Sequence, residues 1–372
     1  MQFGVFSIAD LLPDPVNHRQ PSQAERLAGL RQIGLICEES GLDVFALGER
    51  HAPDYVVSLP TLLLAAVAAQ TKRITMSTAV TLIATSDPVA IAEAYAMLQH
   101  LADGRLDLVL GGGDVAADHR WLGHALEPAL DLALENYQLL HCLWNETNVQ
   151  WDGRFRPPLV GYTSVPRPLD DTAPFVWHSA VCCREVADLA AFHGDGFHVN
   201  NLFGSELPFV DFVQHYRQRY EQYGHGRADQ AIVGLGNKIF LARNSQEAIS
   251  AFRPYFEAAP LYQQGLSLEE YAATPALAIG SPDQVIEKIL TNRTTYGDYQ
   301  RQMFLIDDAG VPLATALAQL ELLASEVVPV LRAEFEALRP AGVPSDPPSH
   351  AELRGRTHLD DHSDWDQPTP VS

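Results

Sequence analysis

Three adjacent residues with side chains suited to proton transfer, Glu49, Arg50 and His51, closely follow the apolar run Val44–Leu47. A carboxylate can orient a neighbouring group or hold a proton, and an imidazole titrates near neutral pH. Arginine stays protonated and cannot act as a base, so His51 is the candidate for proton transfer. The alternative interpretation is a surface ion cluster that closes a loop.

Small residues end the next two apolar runs. Thr78, Ala79 and Val80 close the third predicted strand, where a flat ring could lie against the backbone or where small side chains simply pack. The fourth strand ends in three glycines, the first two being Gly111 and Gly112. Glycine permits either a tight turn or the close approach of a ligand to the backbone. A tight turn needs only one or two glycines, so this run favours a nearby ligand.

A possible anion site lies where the fifth predicted strand meets a helix, at His178, Ser179, Ala180 and Cys182. A hydroxyl, an imidazole and the free backbone amides of a helix N-terminus together suit one phosphate group. The alternative is an ordinary helix cap provided by Ser179. No recognised metal-ligand spacing is present, although Asp114, Asp118, His119 and His124 lie close together in the sequence, so we predict no metal site.

These motifs all follow short apolar runs that alternate with segments of helical period. The predicted strands are Phe3–Ser7, Val44–Leu47, Ile74–Val80, Leu106–Leu110, Phe175–Trp177, Phe197–Val199, Ile232–Leu241 and Met303–Ile306. Eight strands alternating with helices predict an α/β fold, a single (β/α)8 TIM barrel rather than an open sheet. The carboxyl ends of all barrel strands meet at one mouth, where active sites of this architecture lie. We therefore expect the motifs to converge there.

Two insertions and a tail interrupt the alternation. Val149–Asp171 follows the fourth strand-helix unit and Arg253–Gly280 follows the seventh strand, and both are candidate lids over the mouth. The barrel domain is predicted to cover residues 1–338. Residues 339–372 are rich in proline and acidic side chains and poor in apolar ones, so we expect a disordered tail.

Composition excludes several classes of protein. The 372 residues contain 25 Lys and Arg against 47 Asp and Glu, a net charge of −22, which opposes binding to nucleic acid or to an anionic membrane. No uncharged apolar run approaches the ~18 residues that a membrane span needs, and the N-terminus does not resemble a signal peptide. Four cysteines are too few for a disulfide framework, so we expect a cytoplasmic protein with reduced thiols. P-loop, Rossmann, zinc-protease and serine-hydrolase motifs are absent.

The chain resembles the bacterial luciferase-like flavin monooxygenases, which are single (β/α)8 barrels that bind FMN or a deazaflavin at the strand carboxyl ends. The resemblance covers most of residues 1–335 and rests on the order and spacing of several motifs. These are Ala46–His51, Ser77–Val80, Asp87–Val89, Asp103–Leu106, Glu135 with Leu143–Trp144, Gly153–Phe155, Asp195–Phe197 and Gly280–Val285.

The resemblance implies a role for several residues. In many members a non-prolyl cis peptide at the position of Ala79–Val80 lies under the isoalloxazine ring. His178, Ser179 and Cys182 match the stretch that contacts the phosphate.

Glu49, Arg50 and His51 match the acidic and histidine active-site motif, with two departures. Arg50 replaces the usual first histidine, which moves the predicted base to His51. Gly112 replaces an arginine, and Arg50 is a candidate for the missing cation near the flavin.

The activity implied is FMN-dependent monooxygenation of a small or medium organic substrate by O2. The missing nicotinamide motif implies that a separate flavin reductase supplies the reduced FMN, and we expect a homodimer. A deazaflavin-dependent hydride-transfer enzyme is the first alternative, against which the negative charge argues mildly. A non-catalytic flavin-binding protein on the same fold is the second, suggested by Arg50 and Gly112. The sequence does not identify the substrate.

Overall fold

The computed structural model describes residues 1–112, 120–123, 129–180, 183–199, 202, 207–262 and 265–355. Its strands are β1 Gln2–Ser7, β2 Val44–Leu47, β3 Thr75–Thr78, β4 Thr81–Leu82, β5 Asp107–Gly111, β6 Val149–Trp151, β7 Leu159–Tyr162, β8 Phe175–Ala180, β9 Gly196–Val199, β10 Val233–Leu241, β11 Leu277–Gly280 and β12 Arg301–Leu305. The main sheet is parallel in the order β3-β2-β1-β12-β10-β9-β8-β5-β4, and β11 pairs with β10. β3 and β4 are successive segments of one barrel strand, and Met76 bridges to Leu106, so the sheet curls back on itself. The predicted (β/α)8 barrel is confirmed.

The helices form the outer layer of the barrel. They are α1 Gln23–Glu39, α2 Pro60–Ala68, α3 Pro88–Leu101, α4 Ala129–Asn145, α5 Arg184–His193, α6 Leu207–Gln222, α7 Ser245–Ala258, α8 Leu268–Ala273, α9 Pro282–Tyr296, α10 Leu313–Leu322, α11 Val328–Leu338 and α12 His350–Gly355. Local sequence explains several starts. Ser22 and Glu25 form a capping box at α1, and the Asp87 side chain caps α3 ahead of Pro88.

The stretch Leu313–Leu338 is long and apolar enough to cross a membrane by composition. Here it forms α10 and α11, joined by a π-helical segment, and lies in the helix layer. Its buried residues recur every three to four positions, among them Ala316, Leu320, Val327 and Leu331. This spacing is that of one apolar helix face packed on the barrel.

The barrel interior contains a buried ion pair near the amino ends of the strands. Nη1 and Nη2 of Arg301 both donate to the Asp107 carboxylate, the Nη1 bond being 2.9 Å long, and Ser77 donates to the same carboxylate. The Arg301 guanidinium also lies 4.6 Å from the centre of the Trp177 ring. Several hydrogen bonds satisfy the pair, as buried charges require.

The first insertion forms the hairpin β6–β7 and does not cover the mouth. The hairpin starts after α4 and lies along the outer helix layer. The Phe155 N–H donates to Glu135 of α4 over 2.9 Å, and Arg156 pairs with Asp87 at the start of α3 over 3.2 Å. The hairpin tip therefore reaches the level of the mouth but lies on the outer face of the helices.

The second insertion does lie at the mouth. It comprises α7, α8 and β11, and β11 extends the sheet beside the upper half of β10, with Lys238 opposite Leu277 and Leu241 opposite Gly280. Strand carboxyl ends define the mouth, so this pairing places the insertion at its rim.

Residues 339–355 are ordered, which corrects the expectation of a disordered tail over that range. Val343 is buried, and Leu353 packs against an apolar cluster inside the barrel. The N-terminal ammonium of Met1 lies 3.0 Å from the Asp346 carboxylate. Composition was a poor guide here because hydrogen bonds, ion pairs such as Arg354 with Asp170, and two apolar anchors hold the segment, rather than a continuous apolar face. The remainder of the tail lies outside the described residues.

Candidate active site

Glu49 and His51 form a contact at the end of β2. The Glu49 carboxylate is buried, and its Oε1 lies 3.1 Å from His51 Nε2. Its Oε2 accepts a hydrogen bond from the Leu82 N–H over 3.1 Å, so the carboxylate also joins the end of β2 to β4. If Nε2 carries the proton, Nδ1 is left as the acceptor. His51 is 18% exposed and can reach a molecule in the mouth.

Arg50 lies apart from this contact, at the rim. Its guanidinium carbon is 5.8 Å from the centre of the Tyr55 ring, and its backbone N–H donates to the Val57 carbonyl over 3.0 Å. The structure therefore holds a cation beside the mouth, stacked on an aromatic side chain of the loop after β2.

Ala79 and Val80 form a flat backbone surface beside Glu49. The peptide bond between them is cis, as the resemblance implied, and the Val80 carbonyl accepts a hydrogen bond from the Glu49 N–H over 3.1 Å. Thr78 holds the end of β3 against β5. Its hydroxyl donates a hydrogen bond to the Val109 carbonyl and accepts one from the Val109 N–H, each over 2.9 Å. Thr78 thus already has hydrogen-bond partners in the barrel wall.

Gly111 and Gly112 have different surroundings. A Cβ added at Gly111 would lie 2.6 Å from the Val80 side chain, so β5 needs glycine there to approach Val80. Among the described residues a Cβ added at Gly112 would meet nothing closer than Ala133, at 3.9 Å. Gly111 therefore shapes the wall behind Val80, whereas no described residue crowds Gly112.

The structure separates His178 from Ser179. His178 faces the helix layer, where its Nε2 lies 3.0 Å from Asp195 and its ring packs edge-on against Tyr137. Ser179 faces the barrel interior instead. Ala180 ends β8, Cys182 lies outside the described residues, and α5 begins only at Arg184. The predicted anion site is thus not assembled as one group, because adjacent strand residues point in opposite directions.

The residues facing the barrel axis below Ala79 and Val80 line what we call the interior pocket. Its apolar walls come from Phe6, Ala46, Val109 and Met303, and its polar lining consists of Ser77, Thr78, Ser179, His198 and Arg301. Sequence reasoning did not assign His198 a function. Its position opposite Ser179 on neighbouring strands could be found only from the strand register.

A buried ion network, which sequence reasoning missed, lies at the rim. Arg26 Nη2 lies 2.9 Å from Asp307 and 3.4 Å from Asp10, and Lys238 Nζ lies 3.8 Å from Asp308. Burial raises the pKa of Asp10 to about 7, with Arg26 opposing and the neighbouring carboxylates adding to the rise. Asp307 and Asp308 directly follow the last predicted strand. Glu49 was selected because it follows a predicted strand, and the same criterion could have found these two aspartates.

The second insertion contacts this network and the loop after β9. The Tyr262 hydroxyl donates to Asp308 over 2.6 Å, and the Tyr271 hydroxyl donates to the Leu202 carbonyl over 2.9 Å. Leu202 belongs to an apolar cluster at the mouth, together with Ile8, Tyr55, Ala79 and Leu261. The mouth is therefore an apolar surface closed from one side by a hydrogen-bonded insertion.

Metal ligands do not gather in the described part of the chain, where no group of three or more His, Cys, Asp or Glu side chains could hold an ion. The four residues with metal-like spacing noted above, Asp114, Asp118, His119 and His124, lie outside the described residues.

Comparison with known proteins agrees with this fold. Residues 1–299 match the model of the luciferase-like monooxygenase family, and the chain belongs to that family. The oxygenase component of a flavin-dependent trigonelline monooxygenase from Acinetobacter baylyi is 21% identical over 360 residues, covering 88% of this chain and 95% of that protein.

Solved structures share the fold at low identity. The oxygenating constituent of 3,6-diketocamphane monooxygenase from Pseudomonas putida, in complex with FMN, has a TM-score of 0.71 at 18% identity and covers 88% of this chain and 98% of its own. An F420-dependent secondary alcohol dehydrogenase has a TM-score of 0.67 at 15% identity, over 89% and 99% of the two chains. The fold thus occurs with both flavin and deazaflavin cofactors.

Proposed function

We propose that this protein is the oxygenase of a two-component, FMN-dependent monooxygenase. The observation that carries the proposal is the Glu49–His51 contact beside the flat Ala79–Val80 backbone at the mouth. A ring laid on that backbone would have a proton-transfer group at its edge and an apolar surface above it. The trigonelline relative, named as an oxygenase component, supports a separate source of reduced flavin.

The residues present fit a flavin. The flat ring would rest on Ala79 and Val80, with the small side chain of Ala46 nearby, and Gly111 lets β5 pack against Val80 from behind. The phosphate would lie toward the start of α5, where Arg184 adds positive charge. When bound in its reduced form, the cofactor activates dioxygen and delivers one oxygen atom to the substrate.

The protein's own residues would then orient the reacting groups, shield them from water and transfer a proton. Glu49 orients the His51 imidazole, and His51 Nδ1 accepts or returns a proton at the substrate. The apolar side chains of the mouth exclude water, and the Tyr262 and Tyr271 hydrogen bonds hold the second insertion in place. The substrate is expected to be a small or medium organic molecule with an apolar face.

Location and assembly are part of the same proposal. Among the described residues Cys37 and Cys142 form no disulfide, which suits the cytoplasm. Leu62 of α2 and Met97 of α3 are 71% and 55% exposed, and such apolar side chains on two adjoining helices favour a homodimer.

Deazaflavin-dependent hydride transfer is the second candidate, favoured by the F420-dependent structure of the same fold. The absorption spectrum of the purified protein separates the two cofactors, and titration with FMN by fluorescence confirms the choice. Oxygen consumption by the protein with enzymatically reduced FMN and a substrate panel then tests the reaction. Binding of FMN without any substrate-dependent oxygen uptake would favour the third candidate, a non-catalytic flavin-binding protein.

A further inference from the structure

Arg50 is a partly buried cation at the mouth that lacks a carboxylate partner in the described part of the chain. Its guanidinium lies 5.8 Å from the centre of the Tyr55 ring and makes no hydrogen bond or ion pair with a described residue. Arg26, Arg219 and Arg301, by contrast, all pair with aspartates. With 47 Asp and Glu for 25 Lys and Arg, carboxylates are abundant in this chain. Removing an unpaired charge from water is costly, so an unpaired arginine here points to a ligand.

The carboxylates around Arg50 are engaged elsewhere or point to solvent. Burial raises the pKa of the Tyr55 hydroxyl, Arg50 opposes the rise, and Asp10, Asp54 and Asp308 add to it, so all of these charges lie near this side of the mouth. The buried ion network at the rim already pairs Asp10 and Asp308 with other cations. Asp54 is exposed and forms no ion pair with Arg50. The positive charge of Arg50 is therefore available to a molecule in the mouth.

The surroundings of Arg50 limit the chemistry of that molecule. Tyr55 packs against the apolar cluster at the mouth, together with Ala79 and Leu261. A guanidinium presents a planar fork of N–H donors that matches a carboxylate through two parallel hydrogen bonds. Few water molecules compete beside an apolar surface, so such a charged pair is stronger there than in bulk water. A ligand that fits both features carries a carboxylate at one end and an apolar body beside it.

We propose that Arg50 binds a carboxylate group of the substrate, which is therefore a small organic acid with an apolar body. The proposal rests on the proposed function, because it places this acid over the Ala79–Val80 surface. It assigns the cation to the substrate because the charged group of FMN, its phosphate, has a separate candidate site at the start of α5. That helix follows β8, which β5 and the β3–β4 strand separate from β2 around the barrel.

Calorimetric titration of the FMN-bound protein tests the assignment. The ligands are small carboxylic acids, each paired with its primary amide and beginning with benzoate and benzamide, because an amide keeps the shape of the acid without its charge. We expect acids to bind roughly 10- to 100-fold more tightly than their amides, as hydrogen bonds to charged groups do. Arg50→Gln should remove this preference by weakening the acids and not the amides. Arg50→Lys keeps the charge without the planar fork and should retain part of the preference.

Turnover gives a second measurement on the same variants. For an acid that wild type converts to an oxygenated product, Arg50→Gln should raise KM by roughly 10-fold or more with little change in kcat, because binding of the carboxylate is equal in the ground and transition states. The matched control is Arg154→Gln. Arg154 lies in the hairpin tip on the outer face of the helices and pairs with Asp131 over 3.2 Å. This variant loses the same charge and should keep the wild-type preference for acids.

The outcomes separate this assignment from the proposed function. If wild type binds no acid more tightly than its amide, or if the preference survives Arg50→Gln, the assignment is overturned while FMN binding and oxygenation of neutral compounds still support the proposed function. Weaker FMN binding by Arg50→Gln with the acid preference intact assigns the cation to the flavin instead. Failure of wild type to bind FMN overturns the proposed cofactor, and the assignment with it. If Arg50→Gln does not fold, the comparison of acids with amides on wild type and Arg50→Lys decides.

Discussion

The Glu49 carboxylate lies between the His51 ring and the backbone of β4, with Oε1 3.1 Å from His51 Nε2 and Oε2 3.1 Å from the Leu82 nitrogen. One buried carboxylate therefore connects the proton-transfer candidate to the strand segment that begins just after the cis peptide. A change at Glu49 should alter both the orientation of the imidazole and the position of the backbone surface. A change at His51 should alter only proton transfer.

The first prediction concerns proton transfer. Replacing His51 by alanine should lower turnover by roughly 10²-fold or more, because a positioned general base contributes that much. Binding of FMN should stay close to wild type, since His51 is not part of the backbone surface. Turnover is measured as formation of the oxygenated product with reduced FMN supplied. Turnover that survives His51→Ala but collapses with Glu49→Gln would reverse the roles of the two residues.

The sequence predicted the barrel well because short, mostly apolar runs alternate with helical segments along the chain. It did not predict which of two adjacent residues faces the axis. Parallel barrel strands are buried on both faces, so His178 and Ser179 lie in a stretch with no polar–apolar alternation to set the phase. The sequence predicts the hairpin β6–β7 as a lid over the mouth. The prediction is wrong because the sequence of an insertion does not show whether it folds over the mouth or along the outer helix layer.

The second prediction concerns residues 339–355. A protein ending at Leu338 should be less stable to urea by about 2–4 kcal/mol, since it loses the burial of Val343, the Leu353 contact and several hydrogen bonds. A protein ending at Gly355 keeps these contacts and is the control. It should unfold as the full chain does. Equal stability of all three proteins would show that the segment adds nothing to the fold.

The third prediction concerns the pH dependence of stability. The pKa of Asp10 is raised from 3.8 to about 7 in the folded protein, so the folded state binds this proton more tightly than the unfolded state. Its contribution to the free energy of unfolding therefore falls as the pH rises from about 4 to 7. The asparagine of Asp10→Asn cannot ionise, so the stability of this variant lacks the pH-dependent contribution of Asp10.

Urea unfolding at pH 5 and pH 8 checks the sign. Between these values wild type should lose about 2 kcal/mol more than Asp10→Asn, on the scale of about 1.4 kcal/mol per pKa unit. Titrating groups remote from Asp10 are common to both proteins and cancel in the comparison. Parallel stability curves for the two proteins would contradict a raised pKa at Asp10.

The fourth prediction concerns the second insertion. Tyr262→Phe removes one hydroxyl and its 2.6 Å hydrogen bond to Asp308, so the insertion should close the mouth less firmly. We expect FMN affinity to stay unchanged while the fraction of oxygen released as hydrogen peroxide rises about threefold, because the mouth admits more water. Tyr271→Phe, which loses the bond to the Leu202 carbonyl, tests the other attachment. Unchanged peroxide release in both variants would mean that these hydroxyls do not control closure.

The last prediction concerns the source of electrons. The chain has no Rossmann or P-loop motif to hold the pyrophosphate of a nicotinamide cofactor, and α5 offers one helix N-terminus near β8 for a single phosphate group. The purified protein with FMN should therefore oxidise NADH or NADPH at a negligible rate, followed by absorbance. Adding a separate flavin reductase should start formation of the oxygenated product, because only reduced FMN has to diffuse between the two proteins. The control is the reductase with FMN and substrate but without this protein, which should consume oxygen and leave the substrate unchanged. Saturable oxidation of NADH or NADPH by the single protein at micromolar nicotinamide would contradict the two-component system and indicate a flavin reductase on the same barrel.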